Sequence, residues 1–299
     1  LNLMNQVRVI KMVSSTPSES QTHSLKTSSN FKFGRLPQVL DPLERERLER
    51  EVDSLDKLWL NRSTCKPIVP FWTLGAVTYL EGCDDIGKYH KHRTALNPIL
   101  KKKFSWMYKI LCARLTEELG DLCVVDDMLG LPGFHIFGQK KNVRMTEREC
   151  RLLEQPLASI HTDIQYKEHR CYWKCFDEVD FTNPLSFTMA VTLPRNGGGL
   201  FIWDWANFDQ EMIDNFNFQP NEDKVEVLNN KYLWDNGSTN GYEPTYEPIL
   251  EKYIEGNLVY FTGHVVHQIA PAKNCHPYDR RITVQGHGLK CDGVWRLYF

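Results

Sequence analysis

A change in patterning near Leu122 constrains this chain more than any other feature. Before it, apolar residues recur at helical spacing. After it, short β-rich runs are cut by turn residues at Gly130-Leu131-Pro132-Gly133, Pro194-Arg195-Asn196-Gly197-Gly198-Gly199, Asn236-Gly237 and Asn240-Gly241. In the clearest run, Leu185, Phe187, Met189, Val191 and Leu193 alternate with Ser186, Thr188, Ala190 and Thr192, which is the two-residue period of a strand. A second run over 200–204 follows the glycine-rich turn, and further strands are predicted at 257–261 and 281–285.

The preceding segment predicts helices. Asp41, Pro42 and Glu44 make a capping box with proline at the first helical position, and Leu43, Leu48, Val52, Leu55 and Leu58 extend that helix to about residue 60. Val77-Thr78-Tyr79-Leu80 reads as a strand within a mixed segment over 68–80. Ile99, Leu100, Phe104, Met107, Ile110, Leu111 and Leu115 mark a second helix over 96–119, closed by Gly120. Helices followed by many strands predict a mainly β (α+β) fold, an antiparallel sandwich or barrel buttressed by N-terminal helices. Residues 14–30 are rich in Ser and Thr and nearly free of large apolar groups, so a flexible leader is expected over 1–30. One domain is expected over 31–299, with helical support over 41–120 and the β core over 122–299.

Composition excludes several classes. Hydrophobic residues at 41% and aromatics at 12% suffice for a sizeable core and argue against a wholly disordered chain. The net charge of -2, from 36 basic and 38 acidic residues, lacks the basic excess of a nucleic-acid binder. Lys101-Lys102-Lys103 reads as a solvated helix edge. Nine scattered cysteines form no disulfide framework, and Cys171 and Cys175 lack the second close pair of a zinc knuckle. With no apolar run of membrane-spanning length and no apolar core of a secretory signal, a cytoplasmic protein with no membrane partner is the expectation.

The chemistry-bearing residues come in two groups. On an extended segment, His161 and Asp163 of His161-Thr162-Asp163 point to one face and can share an ion. A third ligand must come from elsewhere: His267 follows the 257–261 strand and the Thr262-Gly263 turn, and His264 competes with it. Two imidazoles and one carboxylate on one face of an octahedral ion leave three positions open, which suits iron(II) and dioxygen. The second group lies in Asp279-Arg280-Arg281-Ile282-Thr283-Val284-Gln285. Strand alternation puts Arg281 and Thr283 on one face, a guanidinium fork and a hydroxyl suited to a buried carboxylate, with Arg280 as competitor. His135 reads as a structural histidine at a strand start, and His287 as a pocket or a core residue.

Taken together, these residues resemble the iron(II)/2-oxoglutarate-dependent dioxygenases, whose core is a double-stranded β-helix, or jelly roll. The family pattern is His-x-Asp, a long insertion, a distal His, then Arg-x-Ser/Thr on the last core strand. It is met here by His161-Thr162-Asp163, His267 and Arg281-Ile282-Thr283 over about residues 131–288. Residues 185–204 look like the family's central hairpin, and Gln268-Ile269 after His267 resembles its usual continuation. The resemblance implies iron(II) on His161, Asp163 and His267, and 2-oxoglutarate as co-substrate with its distal carboxylate on Arg281 and Thr283. It further implies consumption of O2, with hydroxylation, desaturation or oxidative cyclisation at a C–H bond. Asp163 disfavours halogenation, which usually needs a small residue there. The long stretch before His267 implies an insertion or lid over 207–248. Such a lid and N-terminal helices resemble members acting on small molecules, including amino-acid-derived natural products such as kainoid precursors. The rival readings are a peptide or protein hydroxylase and, in another class, a non-catalytic jelly-roll binding module.

Overall fold

The computed structural model describes residues 33–62, 70–82, 85–140, 143–155, 157, 161–207 and 248–299. The expected leader, nearly all of the expected 207–248 insertion, and the turns at Asn236-Gly237 and Asn240-Gly241 lie outside the described residues.

In chain order the elements are β1 (Phe33–Leu36), α1 (Pro42–Asp53), β2 (Leu60–Asn61), β3 (Phe71–Leu74), α2 (Ile86–Leu119), β4 (Cys123–Val125), β5 (Gly133–Gly138), α3 (Glu147–Leu153), α4 (Arg170–Trp173), β6 (Val179–Thr192), β7 (Gly199–Asn207), β8 (Ile249–Lys252), β9 (Leu258–Thr262), β10 (Val265–Ile269), β11 (Arg280–Cys291) and β12 (Val294–Tyr298). Among the described residues, one sheet of nine strands runs β1-β9-β6-β11-β5-β3-β2, with β12 beside β11 and β4 beside β12. A second sheet of three strands runs β10-β7-β8. The mainly β architecture with helices gathered in the N-terminal part is the one the sequence predicts.

Alternation along the large sheet assigns its two faces. Leu185, Phe187, Met189 and Val191 of β6, Phe134 and Ile136 of β5, and Ile282 and Val284 of β11 pack with Leu48 and Val52 of α1 and Leu100, Phe104, Met107, Leu111 and Leu115 of α2. The opposite face packs on the small sheet, where Ala190, Val259 and Phe261 meet Leu200, Ile202 and Val265. Burying a side chain of this size contributes about 1.5–3 kcal/mol, so both layers are needed to hold the large sheet. Ser186, Thr188, His135, Arg281, Thr283 and His287 are buried on this inner face, between the sheets.

Several local expectations hold. The Asp41 side chain accepts from Glu44 N–H at 2.8 Å while Glu44 reaches back to Asp41 N–H at 2.9 Å, with Pro42 first in the helix. Gly120 closes α2 in the left-handed conformation at φ 75°, its N–H on Thr116 O. Others are corrected. Helix α1 stops at Asp53 and a 3₁₀ turn spans Asp56–Leu58; Leu55 and Leu58 still pack on the core, so the apolar spacing outlasts the α-helical hydrogen bonds. Leu43 faces solvent. Helix α2 begins ten residues earlier than its apolar pattern, capped by Asp85, whose carboxylate accepts from Gly87 N–H at 2.8 Å.

Val77-Thr78-Tyr79-Leu80 is not a strand. Thr78–Gly82 forms a π turn, and both the Thr78 N–H and hydroxyl donate to Phe299 O, at 3.2 and 2.8 Å. These groups are committed to the chain's last residue rather than to a ladder. The hairpin expected over 185–204 is also corrected. β6 pairs with β9 and β11 in the large sheet, while β7 pairs with β10 and β8 in the small one. The glycine-rich turn is therefore a corner between sheets. Gly197 and Gly199 have φ of 86° and 149°, and a Cβ at Gly199 would lie 2.3 Å from Glu251 O. No other residue fits so close a passage.

Candidate active site

His161 and His267 are joined backbone to backbone. His161 N–H donates to His267 O at 3.0 Å and His267 N–H to His161 O at 2.9 Å, one antiparallel bridge beside β10. Two residues on, Asp163 N–H donates to Gly263 O at 2.7 Å, so the His-x-Asp segment lies extended against the β9–β10 turn. A Cβ at Gly263 would meet Asp163 O at 2.4 Å, so only glycine admits this approach. Extended backbone then turns His161 and Asp163 to the same side.

The side chains converge. Nε2 of His161 lies 3.7 Å from Asp163 Oδ1, and Nε2 of His267 lies 3.4 Å from Asp163 Oδ2. One ligand atom from each of His161, Asp163 and His267 falls within 4.8 Å of the others. His267 Nδ1 is 2.9 Å from Val265 O, and a carbonyl only accepts, so Nδ1 carries the hydrogen and Nε2 presents its lone pair. Gln165 Nε2 donates to Asp163 Oδ1 at 2.9 Å, and His287 Nδ1 stands 3.8 Å from Oδ2 with Ser186 Oγ 3.3 Å away. His264 is buried at the β9–β10 turn and is not a member of this cluster.

The electrostatics suit a cation. Burial opposes charge on Asp163, but the imidazoles of His267, His287 and His161 and the Gln165 amide outweigh it and hold the carboxyl well below its usual range. Burial lowers His267 to about 4 and pushes His287 down as well, against the pull of Asp163. At neutral pH Asp163 therefore offers an ionised carboxylate and His267 a neutral imidazole, the forms that bind metal.

Arg281 and Thr283 lie on the same inner face of β11. Arg281 is 3% exposed; its Nη1 donates to Gly199 O at 3.3 Å, and its guanidinium lies 5.0 Å over the Tyr253 ring. Its Nε and Nη2, the Thr283 hydroxyl and the Tyr253 hydroxyl are buried with no hydrogen-bond partner among the described residues. Burial lowers the Arg281 pKa and raises that of Tyr253. Arg280 points the other way: Nη2 and Nη1 hold Asp53 Oδ1 and Oδ2 of α1 at 2.7 and 3.1 Å, with Glu49 at 3.4 Å. The two neighbouring arginines thus differ in kind, one paired to a helix and one unpaired between the sheets.

Sequence reasoning missed two neighbours of these groups, Gln165 and Tyr253. Gln165 opens a 3₁₀ turn over Gln165–His169, so the strand alternation used for His161 does not reach it. Tyr253 has no sequence pattern; it follows β8 directly, and its ring lies under the Arg281 guanidinium. His135, read as structural, lies between the sheets with Nε2 2.6 Å from the Tyr79 hydroxyl.

No protein-family model and no curated protein matches the chain. Among solved structures, an N-substituted L-amino acid dioxygenase from Burkholderia ambifaria AMMD aligns with a TM-score of 0.48 and 10% identity, over 90% of this chain and 86% of its own. The non-heme alpha-ketoglutarate-dependent carbocyclase SnoK of nogalamycin biosynthesis aligns at 0.40 and 12%, over 92% and 86%. AviO1 from Streptomyces viridochromogenes Tue57 aligns at 0.42 and 11%, over 91% and 96%. TM-scores below 0.5 leave function to be argued from the chain's own residues.

Proposed function

We propose that this chain is an iron(II)- and 2-oxoglutarate-dependent oxygenase with a double-stranded β-helix core, oxidising a C–H bond of a small molecule. The observation that carries this reading is the pairing of two buried, incomplete polar groups in one inter-sheet space. One is a convergent His161–Asp163–His267 set. The other is an Arg281–Thr283 cradle in which Arg281 Nε and Nη2 and the Thr283 hydroxyl lack a partner among the described residues. Both fit their expected occupants. The mixed imidazole and carboxylate donors suit iron(II), and the unpaired guanidinium and hydroxyl suit the distal carboxylate of 2-oxoglutarate. A buried arginine without an anion is costly, so the cradle is built for a ligand that supplies one.

When bound, iron and 2-oxoglutarate supply the oxidation: dioxygen is reduced as the oxo acid loses CO2 to become succinate and a substrate C–H bond is oxidised. The protein's residues do the positioning. Val265 O sets the His267 tautomer, Gln165 orients the Asp163 carboxylate, and Asp163 contributes a fixed negative charge. Arg281 and Thr283 orient the oxo acid by its far end, and the apolar packing between the sheets excludes water.

The test combines binding and turnover. Anaerobic titration should find one equivalent of iron(II) bound, dependent on His161, Asp163 and His267. Iron-loaded protein should release succinate from 2-oxoglutarate under air. Protein that binds neither iron nor 2-oxoglutarate would instead be the non-catalytic binding module.

A further inference from the structure

Next to the Arg281–Thr283 cradle stands a buried imidazole that the reading above leaves unused. β5 is the immediate neighbour of β11, and His135 lies directly opposite Thr283 in their register. Residues so placed on adjacent strands have Cβ atoms about 4.5–5.5 Å apart. Phe134 and Ile136 on either side pack toward the helices, so His135 faces the inter-sheet space with Thr283. The residue is 3% exposed, its ring set among Phe71, Phe137 and Phe299. Nε2 is engaged by the Tyr79 hydroxyl at 2.6 Å. Nδ1 is buried with no hydrogen-bond partner among the described residues, as is the Thr283 hydroxyl opposite.

The charge state of the ring is settled by its surroundings. Burial, with the Arg281 and Arg62 cations nearby, holds His135 well below its ordinary pKa, so it is neutral and carries one ring hydrogen. Which nitrogen carries it depends on the partner at the other. When the Tyr79 phenol donates to the Nε2 lone pair, the ring hydrogen stands on Nδ1.

We propose that His135 Nδ1–H is a further donor to the distal carboxylate of the oxo acid, and that Tyr79 is the positioning residue that sets the tautomer. The inference rests on the co-substrate reading above and deepens it. The cradle then combines a charged fork, a hydroxyl and a neutral N–H, all directed at the far end of the ligand. Its consequence is selectivity: the site depends on that second carboxylate, and an oxo acid lacking it leaves three buried donor groups unmatched.

The experiment measures equilibrium binding of two probes, 2-oxoglutarate and 2-oxopentanoate, to anaerobic iron(II)-loaded protein by calorimetry and thermal shift. 2-Oxopentanoate has the same chain length and oxo-acid end but no distal carboxylate. His135→Phe should weaken 2-oxoglutarate roughly ten- to a hundredfold, the range for a hydrogen bond to a charged group. Its effect on 2-oxopentanoate should stay within about twofold. Tyr79→Phe, which preserves the ring, should act in the same direction and more weakly, so the proposal stays testable if His135→Phe fails to fold. Equal weakening of both probes, or of neither, overturns the proposal and makes the histidine structural. Arg281→Ala separates the two levels of inference. If it abolishes the preference for 2-oxoglutarate while His135→Phe and Tyr79→Phe do not, only the present inference fails. If the preference survives Arg281→Ala, the co-substrate reading fails with it.

Discussion

Replacing Arg281 by methionine should separate stability from ligand binding, because the two effects have opposite signs. Arg281 is buried, donates one bond to Gly199 O, and leaves Nε and Nη2 without partners among the described residues. A buried cation without its anion is a liability to the empty protein. Exchanging buried ionic groups for apolar side chains of similar size is often neutral or stabilising by about 1–4 kcal/mol. Arg281→Met, with its own stem against Tyr253, should therefore leave the ligand-free melting temperature unchanged or raised. Removing one partner of a buried ion pair typically costs about 3–5 kcal/mol, so 2-oxoglutarate should bind roughly two to three and a half powers of ten more weakly. Arg281→Lys should recover only part of this, since an ammonium lacks the bidentate fork. Arg280→Met is the control. It breaks the two-pronged contact with Asp53 that ties α1 to β11, so stability should fall while 2-oxoglutarate affinity stays the same. Thermal denaturation of metal-loaded protein with and without 2-oxoglutarate reads both quantities, because a ligand that binds only the folded state raises the midpoint with its affinity. If Arg281→Met destabilised the ligand-free protein as much as Arg280→Met and kept the full 2-oxoglutarate shift, the guanidinium would be structural and the reasoning wrong.

His161→Ala and His267→Ala should each abolish stoichiometric iron binding, measured by metal analysis after anaerobic loading, whereas His264→Ala should not. Gly263→Ala places a methyl 2.4 Å from Asp163 O; the displaced His-x-Asp segment should lower iron affinity at least about tenfold and stability by roughly 1–3 kcal/mol. The protein should also lose stability in mild acid. His169 is held at about 3 by burial, and because the Thr78 hydroxyl donates to Phe299 O, His169 Nε2 must donate to Thr78. A base whose folded pKa is depressed takes up its proton on unfolding, so this stability is present above about pH 6.5 and is lost as pH falls toward 3. The loss from this residue is about 2 kcal/mol by pH 5, and His169→Gln should remove that part of the slope in denaturant melts at pH 7.5 and 5.

What the sequence made legible, and what it hid, follows from how local each determinant is. The Asp41–Glu44 box and the Gly120 cap involve residues within one turn, and both are present as predicted. The start of α2 was hidden because Ile86 to Ala95 has no apolar period; only Tyr89 of that turn-rich stretch is buried. Val77 and Thr78 are both buried β-branched residues, yet Thr78 directs its N–H and hydroxyl to Phe299 O rather than to a ladder, a partner distant in sequence. The alternation of residues 185–191 correctly separated the two faces of β6, but the bulge opposite Ile282 and Thr283 carries Leu193 to the Ala190 side. The alternation could not say which strand lies beside β6, so the hairpin reading failed: partner choice is set by the corner at Gly197–Gly199 and by the faces that must be buried, neither of them local.

The same alternation explains why the candidate site was readable at all. A strand covered on both sides should be apolar at every position, because a buried polar group needs a partner. β11 departs from that rule differently on its two faces: beside Ile282 and Val284 on the helical layer the half-buried charge of Arg280 is paired with Asp53, while Arg281, Thr283 and His287 are buried on the other face. β6 does the same with Ser186 and Thr188, and β5 with His135. Three adjacent strands therefore present polar groups toward one space, and several of those groups lack partners. Among the described residues, Arg281, Thr283 and His135 thus bring unpartnered atoms to one space between the sheets, an arrangement that the proposed co-substrate would complete. The dependence on neighbouring strands also limits what β5 alone can say of His135: Thr283 lies opposite it only through the β5–β11 register, which no stretch of β5 reveals.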